Sequence, residues 1–244
     1  MKGRIGNPNV GKSTLFNRLT GLRQHTGNWP GKTVASAQGY CERGGWGCVL
    51  VDIPGCYSLM AHSAEEEVAR NFLCFGHPEA VVVVCDATCL ERNFNLVLQT
   101  LEISDKVVVC VNLLDEAKRK HIEIDLKTLS NRLGVPVVGT SARNRKSLLA
   151  LTAALDDLID GPPQQNSYQV RYPGVIEEAI SILLPAVAEM AGGRILPRWM
   201  CLKLLDYDDS LIQELNDYLG CDVLLNERVS AALDRANSFL SHMG

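Results

Sequence analysis

Gly6-Asn7-Pro8-Asn9-Val10-Gly11-Lys12-Ser13 decides how the chain is read. The octet satisfies GxxxxGK[ST] in full, follows a short strand candidate and leads into a helix predicted over Ser13–Leu19, which is the context that motif requires. Its glycines let successive backbone N–H groups turn inward on phosphates, and the helix N-terminus adds partial positive charge. Lys12 is placed to reach the β and γ phosphates and Ser13 to ligate Mg²⁺, with Thr14 beside them on the first helical turn. A chance Gly-rich turn can match such a pattern, so the rest of the chain has to support it.

Three further motifs follow in order. Val49-Leu50-Val51-Asp52-Ile53-Pro54-Gly55 is a strand delivering a carboxylate and then a glycine, a DxxG in which Asp52 holds Mg²⁺ and the Gly55 amide senses a γ-phosphate. Val107–Val111 delivers Asn112-Leu113-Leu114-Asp115, an NxxD, and a later strand ends in Thr140-Ser141-Ala142. Each is weak alone. At the ends of successive strands they converge on the crevice where open α/β sheets bind ligands. Asp115 selects the base, because its two oxygens can accept from N1–H and the 2-amino group of guanine, whereas adenine offers neither donor. A site built on such bonds rejects the wrong ligand by roughly 10⁴-fold. GTP and GDP are the expected ligands, with Leu113 and the Ser141-Ala142 pair lining the base site.

Working outward, β-branched runs at Cys48–Val51, Ala80–Cys85, Lys106–Val111 and Pro136–Val138 alternate with helical-period stretches, the βαβ rhythm of a mostly parallel sheet covered on both faces. Val34–Cys41 and Cys48–Asp52, joined by a Gly-rich loop, read as a hairpin forming the antiparallel edge. Ser63-Ala64-Glu65-Glu66 is a capping box opening a helix through Phe72, and Asp125 caps a helix ending near Leu133-Gly134. Leu148, Leu149, Leu151, Leu155 and Ile159 give a last helix one apolar face. Met1-Lys2-Gly3-Arg4-Ile5 reads as a poor central strand, since a buried parallel strand should be a nearly continuous apolar run. The fold class is α/β, a Ras-like P-loop sheet domain over residues 1–160. A polar, Pro/Gly-rich linker at 161–167 precedes an all-helical domain over 168–244, with helices around Ile176–Leu184, Trp199–Leu205, Ser210–Leu219 and Leu225–Leu240.

Bulk properties agree. The 244 residues are 46% hydrophobic and 21% charged, an ordinary globular composition with length for two units. A net charge of −4 argues against a nucleic-acid partner held through its phosphates. Nine cysteines, with no CxxC pair, read as reduced thiols, and His25, His62, His77, His121 and His242 show no metal-ligand spacing. No secretory signal and no run of eighteen apolar residues is visible.

The residues resemble a specific family, the cytoplasmic N-terminal GTPase region of the bacterial ferrous iron transporter FeoB. Gly27-Asn28-Trp29-Pro30-Gly31 with Thr33 is similar to that family's switch I, and Asp52-Ile53-Pro54-Gly55-Cys56-Tyr57-Ser58-Leu59 to its switch II. The likeness continues through Glu65–Arg70, Asp86-Ala87-Thr88 with Leu90-Glu91-Arg92-Asn93, and Arg198-Trp199 with Leu202-Lys203-Leu204-Leu205. It implies that Gly31 and Thr33 close over the nucleotide, with Thr33 ligating Mg²⁺. It also implies a K⁺ ion between the phosphates, held by Asn9 and by the carbonyls of Gly27 and Trp29, supplying charge where an arginine finger otherwise acts. Asn9, Lys12, Thr33 and Gly55 would then carry hydrolysis. Cys56 stands where a water-orienting Gln is usual, and a thiol orients water poorly, so slow turnover stimulated by K⁺ over Na⁺ is expected.

The helical domain would slow GDP loss or contact a membrane-embedded iron permease, in the same protein or a separate chain, at the cytoplasmic face of the inner membrane. The sequence leaves oligomerisation open. Two rivals remain at this stage: a soluble GTPase of ribosome assembly or tRNA modification, which wants a basic RNA-binding module, and a non-catalytic module stabilised by nucleotide.

Overall fold

The computed structural model describes residues 2–6, 8–21, 24–28, 35–43, 46–141, 144–161 and 167–243. It divides into two compact units, Met1–Tyr168 and Gln169–Gly244.

In the first unit, long β-branched runs build the sheet's centre. Strands β5 (Ala80–Asp86) and β6 (Val107–Asn112) are buried on both faces, which is why they read as unbroken valine runs rather than alternating ones. They are joined by β1 (Lys2–Gly6), β2 (Gln24–Asn28), β3 (Ala35–Arg43), β4 (Trp46–Asp52) and β7 (Val137–Gly139) in the order β2-β3-β4-β1-β5-β6-β7. Pairs β2/β3 and β3/β4 are antiparallel, and the other four are parallel.

On one face Leu15 of α1 (Lys12–Thr20) and Leu151, Leu155 and Leu158 of α6 (Arg145–Asp160) pack with Val82, Val84, Val108 and Cys110. The alternate residues Val81, Val83, Val107 and Val109 face the other way, where α3 (Leu90–Ile103) meets β5 and β6 and α2 (Ala64–Phe75) meets β1. Helices α4 (Leu114–Arg119) and α5 (Leu126–Leu133) complete the unit.

Several expectations change here. The edge is not the β3–β4 hairpin but β2, a strand of Gln24–Asn28 whose polar sequence carries no alternation to announce it. The weak-looking N-terminal segment is β1, and it sits at the centre, paired with β4 and β5. A ladder needs only backbone N–H and C=O groups, and two well-formed neighbours impose the strand on a sequence with little preference for it. Leu149 lies on the exposed side of α6, and Leu158 takes the buried place instead. Ser63 caps α2 by accepting from the Glu66 amide, but Glu66 reaches back to the His62 amide, one residue earlier than a capping box would have it. Asp125 caps α5 and Gly134 ends it in the left-handed region.

The second unit consists, among its described residues, of α7 (Gly174–Ala191), α8 (Pro197–Asp206), α9 (Asp209–Leu219) and α10 (Glu227–Met243), with no strand. Its core is apolar: Ala179, Ile180, Leu183 and Val187 of α7 with Met200, Leu204, Leu211, Leu215 and Val229. Arg198 grips Glu177 through two 2.8 Å hydrogen bonds and donates to the Val170 carbonyl at 3.0 Å, tying the incoming chain to α7 and α8.

Candidate nucleotide site

Strand β1 runs between β4 and β5, the point where connections depart to opposite sides of the sheet, so the loop after it opens into the crevice such sheets use for ligands. That loop is held by a buried anchor. Val10 belongs to the hydrophobic core with Leu15 and Val84, while its carbonyl accepts from Asn112 Nδ2 at 2.9 Å. Asn9 takes a left-handed backbone (φ 64°) and its side chain is exposed. Gly11, at φ 81°, caps α1; a Cβ there would stand 2.6 Å from Asn112 Nδ2, so both conformation and space demand glycine. Lys12 is buried, and its ammonium donates to the Ile53 carbonyl at 2.7 Å. Ser13 and Thr14 are exposed on the first turn of α1.

At the end of β6, Asn112 is fully buried and serves as a brace. Its Nδ2 holds the Val10 carbonyl and its Oδ1 accepts the Thr140 hydroxyl at 2.9 Å. Thr140 in turn donates its amide to Val111 and accepts the Leu114 amide. Leu113 turns the chain in one residue with φ 63°, which puts Asp115, exposed, on the first turn of α4. The Ser141 amide is met by the Ser147 hydroxyl at 3.3 Å. The loop after β1 and the two loops expected to hold the base are thereby one hydrogen-bonded assembly, and Asn112 acts as its brace.

At the end of β4, Asp52 is half-buried and Gly55 presses on the P-loop: a Cβ on Gly55 would lie 3.1 Å from Pro8 Cα and 3.3 Å from Lys12 Nζ. Cys56 packs beneath at 4% exposure. Burial pushes its thiol up to about 12, against a smaller opposing pull from Lys12. It stays protonated at neutral pH, as a small packed residue and not a reactive thiolate.

Residues 3–155 match the family model described as ferrous iron transport protein B, and residues 172–241 match that of the FeoB cytosolic helical domain. The chain belongs to the FeoB family. It is 42% identical over 248 residues to the Fe(2+) transporter FeoB of Shigella flexneri, covering 97% of this chain and 31% of that protein. With the Fe(2+) transporter FeoB of Salmonella typhimurium identity is 37% over 214 residues, 84% of this chain and 27% of the relative. The chain thus spans less than a third of the curated relatives it matches. The apo cytosolic domain of the T. maritima FeoB iron transporter superimposes with a TM-score of 0.77 at 32% identity, covering 99% of this chain and 96% of that one. A GDP-bound mutant of S. thermophilus NFeoB gives 0.80 at 29% identity, covering 99% and 91%. The fold is that of the FeoB G domain followed by the FeoB helical domain, a P-loop GTPase fold.

Of the residues singled out in the FeoB-like sequence, Pro8, Asn9, Val10, Gly11, Lys12, Ser13, Asp52, Gly55, Asn112, Leu113, Asp115 and Ser141 stand at the ends of β1, β4, β6 and β7 and on the turns that follow. Gly6 ends β1, and Gly27 lies in β2 paired with Ser36, three strand spacings from β1, roughly 14 Å. Asn7, Trp29, Gly31, Thr33 and Ala142 lie outside the described residues. Strand β2 runs in the same direction as β4 and β1, because two antiparallel pairings restore the direction.

For Mg²⁺, a hydroxyl at Ser13, on the first turn of the helix that follows β1, and a carboxylate at Asp52, which ends the adjacent parallel strand β4, are hard oxygen donors, a set that fits an ion which keeps several waters. Sequence reasoning missed Thr140 and Ser147 as supports. Thr140 stood in the quoted run but offered no local sign that its hydroxyl would meet a residue 28 positions earlier.

Proposed function

We propose that this chain is the GTP-binding and GTP-hydrolysing regulatory portion of a ferrous iron transporter, dependent on Mg²⁺ and stimulated by K⁺. The observation that carries the reading is the buried Asn112 brace, which makes the phosphate loop and the base-selecting loops a single preorganised unit. Asp115 accepts from the guanine N1–H and 2-amino group. The P-loop amides and Lys12 hold the phosphates, and Lys12 exchanges the Ile53 carbonyl for phosphate oxygen when nucleotide enters. Ser13, Asp52 and Thr33 hold Mg²⁺, which neutralises charge on the β and γ phosphates when bound. The Gly55 amide responds to the γ-phosphate.

Cys56, protonated and packed, neither takes a proton from water nor orients it, so intrinsic turnover is slow. The exposed Asn9 side chain supports a K⁺ site between the phosphates. The carbonyls of Gly27, in β2, and of Trp29 complete that site. The helical unit passes the change to a membrane-embedded permease at the cytoplasmic face of the inner membrane. No described helix is itself long and apolar enough to cross a membrane. Family membership sets aside the ribosome-assembly and tRNA-modification rival.

Steady-state GTP hydrolysis in K⁺ against Na⁺ at equal ionic strength, beside Asn9→Ala, tests the reading. Stimulation by K⁺ that the variant loses is expected. Equal slow rates in every case would overturn the cation mechanism, and absent turnover would leave a nucleotide-binding module without catalysis.

A further inference from the structure

Three side chains of α3 reach switch II from outside the nucleotide crevice. Gln99 Oε1 accepts the Leu59 amide at 2.7 Å and lies 3.3 Å from the Ser58 hydroxyl. Asn95 Nδ2 stands 3.5 Å from the Tyr57 carbonyl oxygen. The Arg92 guanidinium lies over the Tyr57 ring, 4.4 Å from its centroid. Positions 92, 95 and 99 fall on one stripe of a helix, beside the stripe of Leu96, Val97, Thr100 and Leu101 that packs into the core. The core stripe makes the helix part of the fold. The second stripe is spent on three residues of loop, Tyr57, Ser58 and Leu59.

That loop is fixed at its other end. Gly55 presses on Pro8 and Lys12, and Cys56 and Leu59 are both buried. Gly55 through Leu59 is the stretch of chain from the residue against the phosphate loop to the amide held by α3, so what α3 holds is joined to the Gly55 amide by four residues. The start of α3 is itself pinned to β5. Asn93 Oδ1 accepts the Asp86 amide at 3.2 Å, Asn93 Nδ2 donates to the Cys89 carbonyl at 2.8 Å, and Asp86 Oδ1 accepts the Thr88 amide at 2.7 Å. The helix is a rigid reference against which switch II is set.

We propose that Gln99, supported by Arg92 and Asn95, is a positioning residue that fixes the Gly55 amide for the hydrolysis step and contributes little to nucleotide affinity. It acts through Leu59, Ser58 and Tyr57. The inference rests on the GTPase reading above. Affinity for GDP comes from the P-loop, the Asn112 brace and Asp115, whereas the hydrogen bonds of Gln99 go to Ser58 and Leu59 of switch II, and the geometry at Gly55 matters where a γ-phosphate is present.

The test uses the full chain with Mg²⁺ and K⁺. It measures GTP turnover, GDP affinity by calorimetry, thermal stability, and hydrogen exchange over residues 56–60. Gln99→Leu keeps the volume and removes both polar atoms, and Gln99→Glu keeps an acceptor for the Leu59 amide. Gln99→Leu is expected to lower kcat about 5- to 20-fold with KM and GDP affinity within about twofold, and to speed exchange at 56–60. Gln99→Glu is expected to recover kcat to within about threefold of wild type.

Unchanged kcat in Gln99→Leu, a matching fall in GDP affinity, or no rescue by Gln99→Glu would overturn the proposal. Arg92→Ala, at an exposed position, is the second variant should Gln99→Leu fail to fold. It is expected to show the same kcat-only loss at about two- to fivefold, and a wild-type kcat there would count against the clamp. A wild-type chain without turnover would sink the hydrolase reading, and the clamp would then be judged on exchange alone, where unchanged protection in Gln99→Leu overturns it.

Discussion

The two units bury different things. Among the described residues, all seven buried polar or charged side chains, Lys12, Thr20, Arg70, Asn93, Thr100, Asn112 and Thr140, lie in the first unit and none in the second. Thr20 and Thr100 satisfy themselves on the carbonyl one helical turn back. Lys12, Asn112 and Thr140 gather at the ends of the parallel strands, where they bond across long sequence separations. The helical unit keeps the Arg198–Glu177 pair at its partly exposed surface. A core of apolar side chains can be built for stability alone. Burying polar atoms there requires each to be paired, and the pairing fixes loop geometry, which is what a ligand site needs.

The sharpest way to break this comparison is to damage each core in its own manner. Leu183→Ala, in the apolar core of α7, is expected to destabilise the second unit by about 2–5 kcal/mol, read by urea unfolding, while GDP affinity stays within about twofold. Equal loss of GDP affinity would mean the two cores are not independent in kind.

Asn112→Ala is the counterpart. Losing the brace takes the donor from the Val10 carbonyl and leaves the Thr140 hydroxyl the weaker Cys110 thiol as its partner, and is expected to cost about 2 kcal/mol of stability. GDP affinity measured by calorimetry should fall further than that unfolding shift accounts for, because the phosphate and base loops are uncoupled as well. A purely structural loss would refute the role assigned to Asn112.

The surface pair makes a smaller, pH-dependent contribution. The Arg198 guanidinium, and after it the Tyr172 amide, hold the Glu177 carboxyl down at about 2, below its ordinary value of 4.5. A carboxylate with a depressed folded-state pKa stabilises fully above its unfolded pKa and loses that contribution as pH falls through the folded one. The stability gap between wild type and Glu177→Gln should therefore be constant above about pH 5 and shrink toward pH 2, followed by thermal melts of the helical unit. A gap that does not change over this range would show the pair to be inert.

The smallest effect is expected at Cys56. Cys56→Ala should leave kcat within about threefold, and iodoacetamide should leave Cys56 unmodified in the folded chain at neutral pH, checked by mass spectrometry.

The legible and illegible parts of the fold follow from the same physics. The valine runs of β5 and β6 announced themselves because burial on both faces leaves an unbroken apolar signature, and the caps at Ser63 and Asp125 because a local side chain bonds a local amide. Strand β2 did not, and β1 was marked only as a short and poor strand, since their places come from backbone pairing with neighbours distant in sequence. Asp115 was legible as a base-selecting residue from the NxxD spacing, but the α4 turn that presents it depends on a left-handed residue at Leu113 that sequence alone did not mark.

The sequence by itself determined the order of the motifs, the chemistry each could perform and the family. Those properties reside in short runs whose spacing is set by a strand, a turn and a helix start. Only the tertiary structure decided that Asn112 braces the phosphate loop through Val10, that Thr140 completes the brace, and that Gln99 holds switch II from α3. Each of these bonds joins residues tens of positions apart, and no local pattern encodes a partner that the fold alone brings within hydrogen-bond distance.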